Sequence, residues 1–193
     1  MGRWIGPALS GFLIPLLVLC GAAHAAEIEG VKLDDKARVG ASELVLNGAG
    51  VRTRVFFRVY VGALYLRKKT GAADAAIADA GPKRVAMHMM RDLASDQLFS
   101  ALEEGLKKNH APEQLAKLEP QVKQLGAIFS AVKAAKTGDV FLLDYVPGAG
   151  TRVTVNGEGK GTVPGEEFNR ALLRVWLGEE PADAALKKAM LGG

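Results

Sequence analysis

Three arginines and one tyrosine lie two or four residues apart in a strongly apolar segment, at Arg52, Arg54, Arg58 and Tyr60. The surrounding residues are mostly Val, Phe, Tyr and Leu, which favour a β-strand. Because alternate side chains of a strand share a face, these four would lie together. The other face would pack in a core, with Val51, Val55, Phe57, Val59, Val61 and Ala63. Cations and a phenol beside apolar groups suit the binding of an amphipathic anion. A sheet edge that faces water would show the same pattern.

Arg52 is the first candidate binding residue. Its guanidinium is always charged, and its planar fork of N–H donors matches a carboxylate or an enolate-like pair of oxygens. Burial of this group without a partner would be costly, so an anionic ligand is a natural partner if the strand face points inward. The alternative is an arginine at an exposed sheet edge, paired with a surface acid. That alternative is favoured for Arg54 and Arg58.

Tyr60 is the second candidate, because its phenol could donate a hydrogen bond to a bound carboxylate. The alternative is an aromatic side chain that only packs in the core. If residues 51–67 form one continuous strand, the eight residues from Arg52 to Tyr60 span ~27 Å at ~3.3 Å per residue. The two side chains would then share a site only if the chain folds back between them, and no strong turn signal lies there.

The same segment carries a family resemblance. Gly48-Ala-Gly-Val-Arg52 and Val59-Tyr-Val-Gly-Ala-Leu-Tyr-Leu66 resemble the signature of the chalcone isomerase-like family. The run from Val163 to Gly178, followed by Pro181 and Leu186-Lys187-Lys188, is similar to the end of that family. The family includes plant isomerases that make flavonoids, plastid fatty-acid-binding proteins and exported bacterial members. This chain resembles the exported bacterial branch, and it is similar to the non-catalytic fatty-acid binders.

The resemblance implies roles for particular residues. The arginine after Gly-Ala-Gly-x is used by both the isomerases and the fatty-acid binders, and it corresponds to Arg52. Tyr60 falls where the isomerases carry a catalytic threonine, and the fatty-acid binders also pair a tyrosine with the arginine. The other polar positions of the isomerases, which are a tyrosine, an asparagine, a second threonine and a lysine, correspond to Leu98, Gly105, Val175 and a position near Met89. Their replacement by apolar residues favours a long acyl chain over a polyhydroxylated aromatic substrate.

The first 26 residues are predicted to form a signal peptide. Arg3 supplies a positive start, residues 12–20 form an apolar core, and Ala23-His24-Ala25 is a small-x-small cleavage site. The apolar run is shorter than the ~20 residues that span a bilayer, so an uncleaved anchor is disfavoured. We therefore expect cleavage after Ala25 or Ala26 and a periplasmic or secreted protein.

Composition limits the function of the remaining domain, residues 27–193. It is long enough to bury a core, and the single cysteine, Cys20, leaves with the signal peptide, so no disulfide is expected. Loss of Arg3 takes the formal net charge from +4 to +3, from 24 basic against 21 acidic residues. This small excess forms no basic stripe and argues against nucleic acid. No later segment is apolar and long enough to cross a membrane, and no pattern indicates an oligomeric state.

Other motifs indicate neither a cofactor nor a metal. Met87-His88-Met89-Met90 offers soft ligands for copper, but alternate residues of a strand face opposite ways, so a buried strand is favoured. The run Gly157-x-Gly159-x-Gly161 lacks both the spacing and the strand-to-helix context of a phosphate loop. His110 has no serine or cysteine partner that would indicate a hydrolase triad.

The pattern of apolar residues predicts a single α+β domain. Strands are expected at residues 27–33, 41–46, 51–67, 83–91, 139–146 and 151–155, with a turn at Asn47-Gly48. Helices are expected at residues 72–80, from 95, from 112 with a break near Pro120, from 164 to 178 and from 183 to 190. This order predicts one antiparallel sheet covered by a layer of helices. The resemblance implies the same open-faced sandwich.

The sequence thus favours an exported, non-catalytic binder of fatty acids or similar amphipathic carboxylates. Its ligand would occupy an apolar cleft between sheet and helices, with Arg52 and Tyr60 at the carboxylate. Two alternatives remain open. One is an intramolecular lyase or isomerase of the chalcone isomerase type, and the other is an interaction module of the cell envelope that binds a protein and no small ligand.

Overall fold

The computed structural model describes residues 1–2 and 26–193. The predicted signal peptide lies almost entirely outside these residues, so it stays a prediction. The first strands are β1 (Ala26–Ile28), β2 (Val31–Leu33), β3 (Lys36–Val39), β4 (Ser42–Arg54), β5 (Phe57–Leu66), β6 (Lys83–Met89) and β7 (Leu93–Ala94). Those that follow are β8 (Ala134–Ala135), β9 (Val140–Val146), β10 (Gly150–Val155) and β11 (Glu158–Val163). The helices are α1 (Ala73–Ala78), α2 (Ser95–Asn109), α3 (Pro112–Lys117), α4 (Glu119–Val132), α5 (Glu166–Leu177) and α6 (Ala184–Met190).

A seven-stranded antiparallel sheet forms the centre of the fold, in the order β11-β10-β9-β6-β5-β4-β3. Two further pairs, β1 with β2 and β7 with β8, form small sheets of their own. The helices pack on one face of the large sheet. The prediction of an α+β domain with an antiparallel sheet under a layer of helices is therefore confirmed. No helix in the described part of the chain is both long and apolar enough to cross a membrane.

Alternation along the central strands builds two cores. On β5, Leu64 and Leu66 join the core under the helices, while Val61, Ala63 and Tyr65 join a second core on the opposite face. The hairpin formed by β1 and β2 packs on this second core, so part of the face without helices is covered as well. The period of two thus predicts correctly the faces of residues 60–66. It is wrong for Val59, which was expected on the face of Val61 but joins the core under the helices, and for Phe57, which was expected in the core but is 59% exposed.

The region of β4 and β5 differs from the prediction in two ways. The expected turn at Asn47-Gly48 is absent, because β4 runs through it with an irregular register between Leu46 and Gly48. The Asn47 side chain is buried, where it donates to the carbonyls of Thr70 and Met190 at 3.1 and 2.7 Å. The expected single strand at residues 51–67 is also wrong, because the chain reverses at residues 55–56 between β4 and β5.

The glycines of the signature segment allow α6 to lie directly on β4. A Cβ atom added at Gly48 would lie 2.1 Å from the Ala189 carbonyl oxygen, and one added at Gly50 would lie 2.7 Å from the Ala189 Cβ. Neither distance is compatible with a side chain. These glycines therefore serve helix packing inside a strand, whereas a turn was expected at Asn47-Gly48.

Candidate functional site

The reversal at residues 55–56 brings Arg52 and Tyr60 together. The two residues are direct partners in the register of β4 and β5. The guanidinium carbon of Arg52 lies 5.7 Å from the centroid of the Tyr60 ring, within the range of a cation–π contact. A continuous strand would have separated them by ~27 Å, and a shared site required the chain to fold back. The chain does fold back, and the two candidate residues are neighbours.

Arg52 is a buried cation without a carboxylate partner among residues 26–193. Its side chain is only 9% exposed, and its Nε atom is buried with no hydrogen-bond partner in this part of the chain. A buried donor that makes no hydrogen bond destabilises a fold by ~1–3 kcal/mol, and by more if it is charged. No ion pair among residues 26–193 therefore compensates the burial of the Arg52 charge.

Tyr60 lies behind Arg52 in the core under the helices. It is 1% exposed, and its hydroxyl accepts a hydrogen bond from Nε1 of Trp176 on α5 at 2.9 Å. Burial raises the pKa of Tyr60, and the nearby Arg52 charge opposes that shift. The hydroxyl therefore stays protonated. Within the described residues its own proton has no acceptor, so it remains able to donate.

A groove of about 600 Å³ lies between the hairpin of β4 and β5 and the N-terminal half of α2. We call it the hairpin groove. Its lining includes three arginines, Arg52, Arg54 and Arg91. Its apolar wall is formed by Val55, Phe57, Val59, Leu93, Leu98 and Ala101. The volume lies within the range of ~300–1,000 Å³ that is typical of ligand sites. Tyr60 does not line the groove, whereas Arg52 does.

The acidic residues at the groove already have partners. Asp92 accepts hydrogen bonds from the backbone N–H and hydroxyl of Thr137 and from Lys136, and these contacts lower its pKa to about 2. Asp96 accepts from the Ser130 hydroxyl at 2.8 Å, and Glu104 pairs with Lys108 at 2.8 Å.

The groove arginines have no such ion pairs. None of Arg52, Arg54 and Arg91 has a carboxylate within 4.0 Å in the described part of the chain. Arg91 lies over the ring of Phe57, with its guanidinium carbon 4.6 Å from the centroid. The charge at the groove that lacks an ion pair is therefore mostly positive, from three arginines against Asp96, and it adjoins apolar surface. This combination suits an amphipathic anion.

The positions that correspond to the polar groups of the isomerases are packed. Leu98 and Val175 are 2% and 1% exposed, and Met89 is buried as well. A Cβ atom added at Gly105 would lie 2.7 Å from Cγ1 of Val175, so α2 and α5 meet closely where the isomerases would place an asparagine and a threonine. Of these residues, only Leu98 lines the hairpin groove, and it offers an apolar side chain. The groove thus lacks the acid or base that the resemblance assigns to the isomerases.

No sequence pattern indicated that Arg91, Phe57 and Trp176 belong to the site. Arg91 and Phe57 contact each other because the hairpin turn lies beside the end of β6, and no turn signal predicted this. Trp176 was expected only as one of the apolar residues on its helix, and no pattern predicted its hydrogen bond to Tyr60. The Met87–Met90 motif behaves as a buried strand, because Met87 and Met89 lie under the helices while His88 points to the opposite face. No group of His, Cys, Asp or Glu among residues 26–193 has the arrangement of a metal site.

The fold is that of an α+β protein whose helices cover one face of an antiparallel sheet, and the hairpin groove lies between the two layers. The sequence profile of the chalcone isomerase-like family matches residues 25–192, and the chain belongs to that family. No curated protein sequence matches it. Among solved structures, a fatty-acid binding protein of Arabidopsis thaliana is similar, with a TM-score of 0.65 and 16% identity. The similarity covers 87% of this chain and 96% of the plant protein. At this identity the likeness concerns the fold.

Proposed function

We propose that the protein binds fatty acids or similar amphipathic carboxylates in the hairpin groove, without catalysis. The observation that carries this proposal is the state of Arg52. It is a buried cation with no ion pair among residues 26–193, and it lies at a groove that has an apolar wall. A ligand carboxylate would supply the missing partner, and its acyl chain would cover the apolar wall.

The free energy available from such contacts is large enough for binding. Each methylene that leaves water for the apolar wall contributes ~0.8 kcal/mol. A charge-assisted hydrogen bond from the guanidinium adds ~1.5–3 kcal/mol. About six to eight methylenes and one such contact therefore sum to the ~8 kcal/mol of micromolar affinity, and the further methylenes of a long acyl chain offset the cost of association.

Tyr60 has a supporting place in the proposal. Its ring lies against the Arg52 guanidinium and limits the directions in which that group can point. Its hydroxyl retains a proton that a carboxylate drawn deep beside Arg52 would accept. The similar plant structure is described as a fatty-acid binding protein, and this description supports the choice of ligand class.

The isomerase alternative is less well supported. General acid–base catalysis needs a titratable group within hydrogen-bond reach of the reacting atom, and the corresponding positions are Leu98, Gly105 and Val175. A shallow cleft with an exposed Arg52 would favour the interaction-module alternative, but Arg52 is only 9% exposed.

We also propose that the protein is exported to the periplasm or beyond, as the exported bacterial members of the family are. The order of Arg3, an apolar core and Ala23-His24-Ala25 supports this proposal. N-terminal sequencing of the folded protein from its own host should find Ala26 or Glu27 as the first residue. A chain that begins at Met1 or Gly2 would contradict export by cleavage.

The test of the binding proposal compares a long-chain fatty acid with its methyl ester by isothermal titration calorimetry. The two ligands share the acyl chain and differ in charge. The acid should bind ~10- to 100-fold more tightly, because only the acid can accept the charge-assisted bond. Native mass spectrometry of protein from its own host should detect a bound carboxylate. Equal binding of acid and ester would overturn the proposal.

A further inference from the structure

The turn between β4 and β5 exposes three consecutive large apolar residues. Val55, Phe56 and Phe57 are 77%, 91% and 59% exposed, and we call them the apolar tip. In the described part of the chain, Met1 is the one other large apolar residue that is exposed. Phe56 does not line the hairpin groove, so its exposure is unrelated to the walls of that site. A continuous apolar patch on a protein surface marks a site of interaction.

The backbone of the tip is unfavourable for its residues. Val55 has a φ of +58°, in the left-handed region that β-branched residues rarely occupy. Tight hairpin turns normally place Gly, Asn or Asp at such positions. Glycine at 55 would therefore be a better turn residue. Valine at position 55 adds apolar surface to the tip, although the backbone conformation alone would favour glycine there.

Positive charge surrounds the tip. Arg54 precedes it, Arg58 follows it, and Arg91 lies over the ring of Phe57 with its guanidinium carbon 4.6 Å from the centroid. The nearby acids are engaged, since Glu29 pairs with Arg58 at 2.7 Å and Asp92 pairs with Lys136 at 3.1 Å. Arg54 and Arg91 have no ion pair among residues 26–193. Apolar rings beside arginines match the boundary between acyl chains and anionic headgroups of a bilayer.

We propose that the apolar tip inserts into the surface of a bilayer that contains anionic lipids. Phe56 and Phe57 would enter the boundary between headgroups and acyl chains, and Arg54 and Arg91 would contact lipid phosphates. A bilayer fits better than a protein partner, because a stable protein interface needs ~800 Å² on each side, more than three side chains on a narrow turn supply. The proposal goes beyond carboxylate binding and does not depend on it.

Docking in this way would bring the groove to the lipid surface. Val55 and Phe57 belong both to the tip and to the wall of the hairpin groove. An amphipathic ligand that leaves the bilayer at the tip would therefore meet the groove without crossing open water.

The experiment is co-sedimentation of the purified protein with phosphatidylcholine vesicles, with and without phosphatidylglycerol. The protein should bind the anionic vesicles, and added salt should weaken that binding because it screens the arginines. Phe56→Ser should lower the partition coefficient roughly tenfold, since it removes the most exposed ring from the acyl boundary. Arg54→Glu should lower binding to the anionic vesicles. Arg152→Glu makes the same charge change on β10, away from the tip, and should have little effect.

Two further measurements separate this proposal from the others. Phe56→Ser should leave the affinity for a fatty acid unchanged within about twofold, because Phe56 is outside the groove. Arg52→Ala should lower vesicle binding less than Arg54→Glu does, because Arg52 is buried. Sedimentation velocity without vesicles tests for contact between copies of the protein. Vesicle binding that is equal in wild type and Phe56→Ser would overturn the proposal, and so would self-association that Phe56→Ser abolishes.

Discussion

The hydroxyl of Tyr60 on β5 accepts a hydrogen bond from Nε1 of Trp176 on α5 at 2.9 Å, and both side chains are buried. This contact links the sheet to the helix layer directly behind Arg52. The indole N–H can only donate, so it depends on the Tyr60 oxygen for its partner. Tyr60 therefore has a structural role as well as its proposed role at the ligand.

Tyr60→Phe should lower the free energy of unfolding by ~1–3 kcal/mol, because it leaves the buried Trp176 N–H without an acceptor. Tyr145→Phe is a suitable control, since the Tyr145 hydroxyl has no hydrogen bond among the described residues. Urea denaturation followed by circular dichroism measures both changes. If the two variants lose equal stability, the Trp176 contact contributes nothing.

Gly105→Ala should destabilise the fold by ~1–3 kcal/mol, the usual effect of an extra methyl group in a packed interface. An alanine in a helix is otherwise ~1 kcal/mol better than glycine, but its Cβ would lie 2.7 Å from Cγ1 of Val175. Val175 is β-branched and has little freedom to rotate away.

A double-mutant cycle checks the cause. Val175→Ala makes room at the contact, so Gly105→Ala should cost less in that background than in the wild type. Gly159→Ala is the control, because a Cβ atom at Gly159 would meet nothing within 4 Å. Additive effects of Gly105→Ala and Val175→Ala would show that the two positions are not in contact.

The helices and the two-faced strands could be predicted from the sequence, whereas the reversal at the site could not. Apolar spacing correctly indicated a helix that contains Trp176, and alternation correctly assigned Leu64 and Leu66 to one face. The turn at Val55 and Phe56 was missed because both residues favour strands. Val55 has a positive φ, and a turn is normally recognised at such a position by Gly, Asn or Asp. Long-range pairing between β4 and β5 decides this turn against local preference.

The same lesson applies to the Asn47-Gly48 dipeptide, which normally signals a hairpin turn. Here it lies inside a strand, because the Asn47 side chain bonds the backbone of Thr70 and Met190, and Gly48 makes room for α6. These partners are 23 and 143 residues away in sequence. Contacts between residues that are distant in sequence also decide the geometry of the site, so the site could be predicted only in part. Arg52 and Tyr60 were identified as candidates by residue type, while their contact depends on the reversal.

The packed isomerase positions predict that the protein does not accelerate stereoselective cyclisation of a chalcone. Leu98, Gly105 and Val175 provide no group that could transfer a proton. The spontaneous reaction proceeds in water, so the assay needs a protein-free control and chiral chromatography of the product. An acceleration of ~10²-fold or more that Arg52→Ala removes would restore the enzyme alternative.

The central prediction concerns Arg52 and a long-chain fatty acid. Arg52→Ala should weaken binding by ~1.5–3 kcal/mol, or roughly ten- to a hundredfold in Kd, because it removes one charge-assisted contact. Arg52→Lys should recover only part of this loss, since a point charge does not reproduce the guanidinium fork. Isothermal titration calorimetry with each purified variant measures these differences.

Three comparisons make the result specific to the carboxylate. Arg152→Ala removes an equal charge far from the groove and should leave Kd unchanged. The methyl ester should bind the wild type about as weakly as the free acid binds Arg52→Ala, because either change deletes the same contact. Tyr60→Phe should cost ~0.5–1.5 kcal/mol of binding if its hydroxyl donates to the carboxylate. Unchanged affinity in a folded Arg52→Ala variant would show that Arg52 is a structural residue, and the groove would then need a different ligand.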